Sequence, residues 1–195
     1  DEKFQSMAGP SFWVLQLIFN KSQAHVDKEE VRRAIAHGLD RAKIVEQVTH
    51  GGAIVANLGI ISPNTPWYDA NLPAYEHDPA KTESILQSLG LGDLHMTLIT
   101  TGGFSREAEL VKADLEAAGI QVEVKTGDRS TVDGLLREGD FDLAINGHGG
   151  IANPSILQNP TWPASSYKNE TYEMLFNEQS RTIDEGKRRE LVAGL

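Results

Sequence analysis

The fold is decided by the stretch Phe141-Asp142-Leu143-Ala144-Ile145-Asn146-Gly147-His148-Gly149-Gly150-Ile151-Ala152-Asn153-Pro154. Its first six residues alternate, with Phe141, Leu143 and Ile145 facing one way, which predicts a strand. Three glycines and His148 fill the next four positions, and glycine lets other groups approach the backbone closely. Ligands of open α/β sheets bind beyond the carboxyl ends of strands. We therefore expect exposed backbone N–H groups at one lip of a ligand cleft. The alternative is a glycine-rich connector in which His148 caps a carbonyl.

The sequence before this stretch alternates strands with helices. Hydrophobic spacing predicts strands at residues 94–101, 120–125 and 141–146, with helices at 106–118 and 131–137 between them. Strand–helix–strand units of this length imply right-handed crossovers and parallel pairing. The sequence therefore predicts an α/β fold with a mixed, mostly parallel sheet flanked by helices.

The N-terminal half adds one strand, three helices and a long loop. Residues 11–20 are almost continuously apolar, which predicts a strand buried on both faces. Asp27, Asp40 and Asp78 are placed to cap three helices, the last with proline at its first helical position. Residues 53–78 show no helical period and hold three prolines. Two more helices are predicted at 169–178 and 184–195.

Composition excludes several classes of function. The formal net charge is −10, from 28 acidic and 18 basic residues, which argues against a nucleic-acid binder. The one dense basic run, residues 187–189, is interpreted as a solvated face. The absence of cysteine excludes disulfides, thiolate metal sites and cysteine nucleophiles. The longest apolar run, residues 12–19, is too short to span a bilayer.

Enzyme and metal signatures are incomplete. The six histidines form no i, i+4 pair and no cluster with carboxylates, so we predict no metal site. His148-Gly149-Gly150 is similar to an oxyanion loop, but the nucleophile motif G-x-S-x-G is absent. Gly102-Gly103 joins a strand to a helix, where an anion could bind, but lacks the Walker lysine. We predict no catalytic residue and no cofactor. A stand-alone α/β hydrolytic enzyme stays as the least favoured alternative.

Three segments together resemble a known family. Residues 31–41, VRRAIAHGLDR, are similar to the "VRxAIxxAxDR" pattern of the family 5 extracellular solute-binding proteins, the peptide, dipeptide and nickel receptors of ABC importers. Residues 75–81, YEHDPAK, resemble the family's "YxxDPxKA" helix start. Residues 95–146 follow its "LTLxT…GIxVEI…GDFDLAxxGW" pattern. The resemblance covers nearly all of residues 26–195.

The resemblance implies a periplasmic-binding-protein-like (type II) fold of two lobes around a cleft. Residues 26–195 would form the C-terminal lobe, and residues 1–25 would form the lead-in and the inter-lobe strand from the N-terminal lobe. The N-terminal lobe of the same protein is therefore an expected partner of the C-terminal lobe. The protein would capture a small solute (peptide, amino-acid derivative or metal chelate) and deliver it to ABC permease subunits. A nickel-type chelate receptor is the alternative. The implied location is periplasmic or extracellular, which is compatible with a lipid anchor.

One departure from the family pattern concerns the ligand. Peptide-binding members continue with "GWxADYxDP", whose first Asp pairs with the ammonium group of the peptide. Aligned on Pro154, Gly147 replaces the Trp, Gly150 replaces that Asp, and Asn153 replaces the final Asp. This argues against a peptide held by its free amine. His148 and the glycine amides would instead donate hydrogen bonds to an anionic or polar group.

Ligand contacts are predicted at the carboxyl ends of two strands. The first set is Asn146, Gly147, His148, Gly149, Gly150 and Asn153, and the second set is Gly102 and Gly103. Trp67 and Trp162 are interpreted as packing anchors, with a role as aromatic walls of the cleft as the alternative.

Overall fold

A computed structural model gives the fold, and it describes residue 9 and residues 11–56, 61–148, 153–154 and 167–195, with only the backbone at His148. These residues form four strands and seven α-helices. In chain order they are β1 (Val14–Phe19), α1 (Glu29–Gly38), α2 (Arg41–Thr49), α3 (Pro79–Ser88), β2 (Leu94–Thr101), α4 (Ser105–Ala117), β3 (Ile120–Gly127), α5 (Arg129–Glu138), β4 (Leu143–His148), α6 (Glu170–Arg181) and α7 (Glu185–Ala193).

The four strands form one mixed sheet in the order β1-β4-β2-β3. Strand β2 lies parallel to both β3 and β4, whereas β1 is antiparallel to β4 at the edge. Three of the four strands therefore share one direction, because helices α4 and α5 return the chain between them. This confirms the predicted mixed, mostly parallel sheet flanked by helices.

The two faces of the sheet bury separate apolar clusters. The larger cluster lies against α1, α3 and α4 and includes Ile35, Leu115 and Leu143, all fully or almost fully buried. The smaller cluster packs α5 on the other face through Val132 and Leu136. The prediction of helices on both sides of the sheet is therefore confirmed, as parallel strands require.

Strand β4 begins two residues later than the sequence predicts. Asn20 is fully buried, and its amide donates hydrogen bonds to the carbonyl oxygens of Gly139 and Phe141, at 3.1 and 2.8 Å. These bonds hold residues 139–142 as a turn. Phe141 consequently packs in the α5 cluster, whereas Leu143 packs in the other cluster, so the predicted common face of Phe141 and Leu143 is wrong.

Strand β1 is shorter and more exposed than the sequence predicts. It spans Val14–Phe19 instead of residues 11–20, and only Val14 is buried. Leu15 is 40% exposed. The prediction of burial on both faces is wrong because β1 is an edge strand of the described sheet, paired only with β4 there. The apolar residues of β1 therefore lie partly on the exposed surface and partly against the core.

Two of the three predicted aspartate caps are confirmed. Asp40 and Asp78 accept hydrogen bonds from the backbone N–H groups of Lys43 and Lys81, each at 2.9 Å. Asp27 is not a cap, because its N–H bonds to the carbonyl of Gln23 in a preceding turn and Lys28 takes the N-cap position.

The long loop also follows the sequence. Residues 53–56 and 61–78, the described part of the loop, form neither helix nor strand, as the sequence predicts. Among the described residues, none of the helices has the length and apolarity that crossing a membrane requires.

Candidate functional site

The carboxyl ends of β2, β3 and β4 and the amino end of β1 meet at one end of the sheet. Thr100 pairs with Ile145, so the carboxyl ends of β2 and β4 lie side by side, and Val14 at the amino end of β1 pairs with His148. The topology therefore brings the Gly102–Gly103 turn close to the end of β4. We call Trp13, Gly102, Gly103, Phe104 and Gly147 the rim.

Gly147 is covered by Trp13, which directly precedes the neighbouring strand β1. A Cβ atom built at Gly147 would lie 2.0 Å from Cζ2 and 2.3 Å from Cε2 of Trp13, so the indole lies directly on the glycine backbone. Leu15 and Gly147 are paired, which places Trp13 diagonally across the strand pair. The N–H of Gly147 donates to the side chain of Asn146 at 2.9 Å. The expected open amide is therefore wrong at Gly147, since strand β4 continues through His148.

The turn after β2 is open. Gly102, Gly103 and Phe104 form a single 3₁₀ turn that leads into α4. Both glycines are exposed, and a Cβ atom at either one would meet nothing within 4 Å. Neither has a left-handed φ. The described chain therefore gives no steric reason for glycine here, and backbone at this turn is accessible to an approaching molecule.

A cavity of about 1010 Å³ lies on the α1–α2 side of β1. Trp13 and Phe104 line it, with their ring centroids 5.9 Å apart. Its lining is mainly apolar and includes exposed Leu15, Ile54 and Val55. Cavities of this size and character are typical of small-molecule sites.

The predicted contact residues fall into three groups. The backbones of Asn146, Gly147 and His148 lie at the rim edge with Gly102 and Gly103. Asn153 lies against the C-terminal helices, where its side chain accepts a hydrogen bond from Arg188 at 3.3 Å. Gly149 and Gly150 lie outside the described residues. Ligand contact at each of these positions stays a prediction.

Trp67 packs away from the rim. It lies in a cluster with Ile61 and Val192, and the guanidinium carbons of Arg188 and Arg189 lie 5.0 and 5.7 Å from its ring. Two residues of the basic run therefore cover an aromatic ring, which adds a packing role to the predicted solvated face. Trp162 lies outside the described residues.

Two of the groups with shifted pKa values, Arg41 and Lys43, lie in the first turn of α2. Asp114 is 4% exposed and accepts hydrogen bonds from Lys43 Nζ at 2.7 Å and from the Asp40 N–H at 3.0 Å. The hydrogen bond to Asp114 raises the pKa of Lys43. Burial lowers the pKa of Arg41, whose guanidinium donates to the carbonyls of Ala36 and Tyr75. We call Asp40, Lys43 and Asp114 the α2–α4 joint.

Clusters of metal-binding side chains do not occur in the described part of the chain. Across the described ranges, no three His, Asp or Glu side chains come together in a way that could hold a metal ion.

The sequence does not predict that Trp13 and Phe104 line the cavity. The sequence places Trp13 in a strand buried on both faces and Phe104 in a turn. The available signal was the pairing of a bulky residue with a glycine: once β1 and β4 are adjacent, Trp13 needs a neighbour without a side chain, and Gly147 provides it.

Known proteins are similar to this chain over most of its length. Residues 1–170 match the profile of the bacterial extracellular solute-binding proteins, family 5, middle part. A probable di/tripeptide-binding protein 5 of Pseudomonas aeruginosa is 29% identical over 82% of this chain and 31% of its own length. A probable ABC transporter periplasmic-binding protein, SapA of Escherichia coli, is 26% identical over 75% of this chain and 28% of its length. The chain thus spans about a third of these relatives.

Solved structures give the same fold. The periplasmic binding protein DppA of Helicobacter pylori, in complex with the peptide STSA, matches with a TM-score of 0.84 at 22% identity, over 93% of this chain and 38% of that protein. NikA of Staphylococcus aureus, in complex with Ni(L-His)2, matches with a TM-score of 0.81 at 21% identity, over 93% of this chain and 41% of that protein. The likeness establishes the periplasmic-binding-protein fold.

Proposed function

Because the chain belongs to the bacterial extracellular solute-binding proteins of family 5, we propose that it forms part of the substrate-binding component of an ABC importer. The family is one of binding proteins, and the proposed role is capture and delivery of a solute without covalent chemistry. The match over residues 1–170 carries this proposal. We propose that residues 26–195 act as the C-terminal lobe, with an N-terminal lobe of the same protein as the partner.

The geometry of the rim supports solute capture. Open backbone at Gly102 and Gly103 lies beside two half-buried or exposed aromatic rings, at the sheet edge where α/β proteins bind ligands. A solute held there and by a second lobe would favour the closed arrangement of both lobes. The closed form would then dock on the permease, so that transport follows from a shift of population between two forms.

A peptide-class solute is the primary proposal. One of the relatives named above is a probable di/tripeptide-binding protein, and one structural neighbour holds a peptide. A nickel-type metal chelate is the second candidate, because NikA has the same fold and binds Ni(L-His)2. In that case His148 would be the ring at the end of β4 that contacts the chelate. Both candidates imply a periplasmic or extracellular location.

Isothermal titration calorimetry on the natural polypeptide that carries this sequence tests the proposal. Di- and tripeptides, single amino acids, mannohexaose and Ni(L-His)2 form the panel. We expect binding of at least one peptide. Binding of Ni(L-His)2 alone would replace the peptide proposal with the chelate proposal, and binding of none of the four classes would overturn solute capture.

The predicted contact residues can be tested in the same polypeptide. We expect His148→Ala to weaken binding of the peptide found above by at least about fivefold, the loss of roughly one hydrogen bond. His95→Ala is the matched control, because His95 is an exposed histidine at the opposite end of β2, beside Asp93. An unchanged affinity in His148→Ala would assign His148 to structure.

A further inference from the structure

We propose that Trp13 and Phe104 form an apolar wall that receives an aromatic or large aliphatic side chain of a peptide-class solute. The inference rests on the proposed function, and it names the side-chain chemistry that the site selects. Neither residue is among the ligand contacts that the sequence predicts.

Trp13 is held in place without being buried. The indole packs on the backbone of Gly147, because a Cβ atom there would lie 2.6 Å or less from three atoms of the ring. Trp13 nevertheless remains 54% exposed. When another apolar group covers the open side of such a ring, apolar surface is removed from water and the free energy of the complex falls.

Phe104 supports the indole of Trp13. Its ring lies 5.9 Å from that of Trp13 at an angle of 52°, within the range of favourable aromatic pairs. Phe104 also packs against the main core cluster beneath the sheet. The pair therefore presents a preorganised surface, which reduces the entropy lost when a ligand side chain is ordered there.

The surroundings favour a side chain carried on a peptide backbone. Leu15 and Val55, which are 40% and 38% exposed, line the same cavity as the wall. Gly102 and Gly103 lie directly before Phe104 and expose backbone without side chains. A peptide can place its main chain at this turn and an apolar side chain on the wall.

Calorimetry with Ala-Phe and Ala-Ala tests the wall in the natural polypeptide. We expect the wild type to prefer Ala-Phe, and Trp13→Ala to reduce the ratio of the two affinities by about tenfold or more. Phe104→Ala should reduce the ratio less, because Phe104 supports the indole. Met174→Ala is the matched control: it removes an apolar side chain of α6 that is 59% exposed, and it should leave the ratio unchanged.

Each outcome separates the inference from the function on which it rests. If the polypeptide binds no peptide, the proposal of a peptide-class solute and the proposal of the wall are overturned together. Binding of both, with a ratio that Trp13→Ala leaves unchanged, overturns the wall alone. A wild type that prefers Ala-Ala does the same.

A second measurement decides the matter if Trp13→Ala does not fold. The double substitution Trp67→Phe/Trp162→Phe leaves Trp13 as the only tryptophan of this sequence, and any tryptophan elsewhere in the natural polypeptide is likewise replaced by phenylalanine. Acrylamide quenching of fluorescence then reads the exposure of Trp13. We expect Ala-Phe to reduce the quenching more than Ala-Ala does at equal saturation. Equal quenching with the two dipeptides overturns the proposal.

Discussion

The α2–α4 joint and the rim use their side chains in opposite ways. In the joint, Asp114 is 4% exposed and each of its oxygens accepts a hydrogen bond. At the rim, Trp13 is 54% exposed and the Gly102–Gly103 turn faces open space. The joint satisfies its polar groups internally, whereas the rim leaves apolar surface and backbone uncovered. The comparison separates residues that stabilise the fold from residues that remain available to a ligand.

The largest effect is expected in the joint. Asp114→Ala removes the acceptor of the Asp40 N–H and of Lys43 Nζ, and it should lower the free energy of unfolding by about 2–3 kcal/mol. The value lies below that of a fully buried ion pair because Lys43 is 39% exposed and can turn to water. Urea unfolding of the chain measures it.

A glutamate near the rim is the matched control for this change. Glu107 lies in the first turn of α4, as Asp114 lies near its end, and Glu107 is only partly buried. Glu107→Ala should cost no more than about 1 kcal/mol, the contribution of an acidic residue to the helix dipole. Equal losses in the two variants would contradict the distinction between joint and rim.

A smaller effect is expected where the rim is internally packed. Gly147→Ala places a methyl group against the indole of Trp13, so the ring must move, at a cost of about 1–3 kcal/mol in unfolding free energy. In a Trp13→Ala background the same substitution should cost much less. A double-mutant cycle by urea unfolding measures the coupling. Costs that agree in both backgrounds would mean that the indole does not lie on Gly147.

The sequence predicts the sheet well because its strands and helices follow regular hydrophobic periods. The bounds of β2 at Leu94–Thr101 are as predicted, and Gly119 takes a left-handed φ of +87° at the turn before β3. These features depend on local spacing and on the conformational freedom of glycine, both of which can be read along the chain.

The rim could be predicted only in part, since it depends on contacts between distant residues. Asn20 holds residues 139–142 as a turn from 119 positions away, and so displaces the start of β4. Trp13 reaches Gly147 from the residue before β1, an edge strand whose position in the sheet the sequence does not specify. The apolar run at residues 11–20 predicts a core position for Trp13. Its exposure follows from the order of the strands, which is a property of the whole sheet.

A third prediction concerns pH and again probes the joint. Hydrogen bonding to Asp114 raises the pKa of Lys43, so its contribution to stability is complete below the ordinary lysine pKa of 10.5 and is lost as pH rises through the higher folded value. The loss should be smaller than that caused by Asp114→Ala, because solvent screens the partly exposed ammonium group.

Unfolding free energies at about pH 9 and about pH 12 measure this loss. The quantity of interest is the difference between the wild type and Lys43→Met, because this difference cancels the effect of pH on the rest of the chain. That difference should shrink as pH rises. A difference that stays constant or grows would assign no stabilising role to the charge on Lys43.

The smallest effect, and one of opposite sign, is expected at the open turn. Gly103 has no left-handed φ, and a Cβ atom there meets nothing within 4 Å, so Gly103→Ala introduces no clash in the folded chain. The substitution reduces the freedom of the unfolded chain, and it should leave stability unchanged or raise it by up to about 1 kcal/mol. Urea unfolding beside Gly147→Ala gives the direct contrast between two glycines of one rim. A loss above about 1 kcal/mol at Gly103 would mean that the turn is covered in the folded protein, and that its glycine serves packing as Gly147 does.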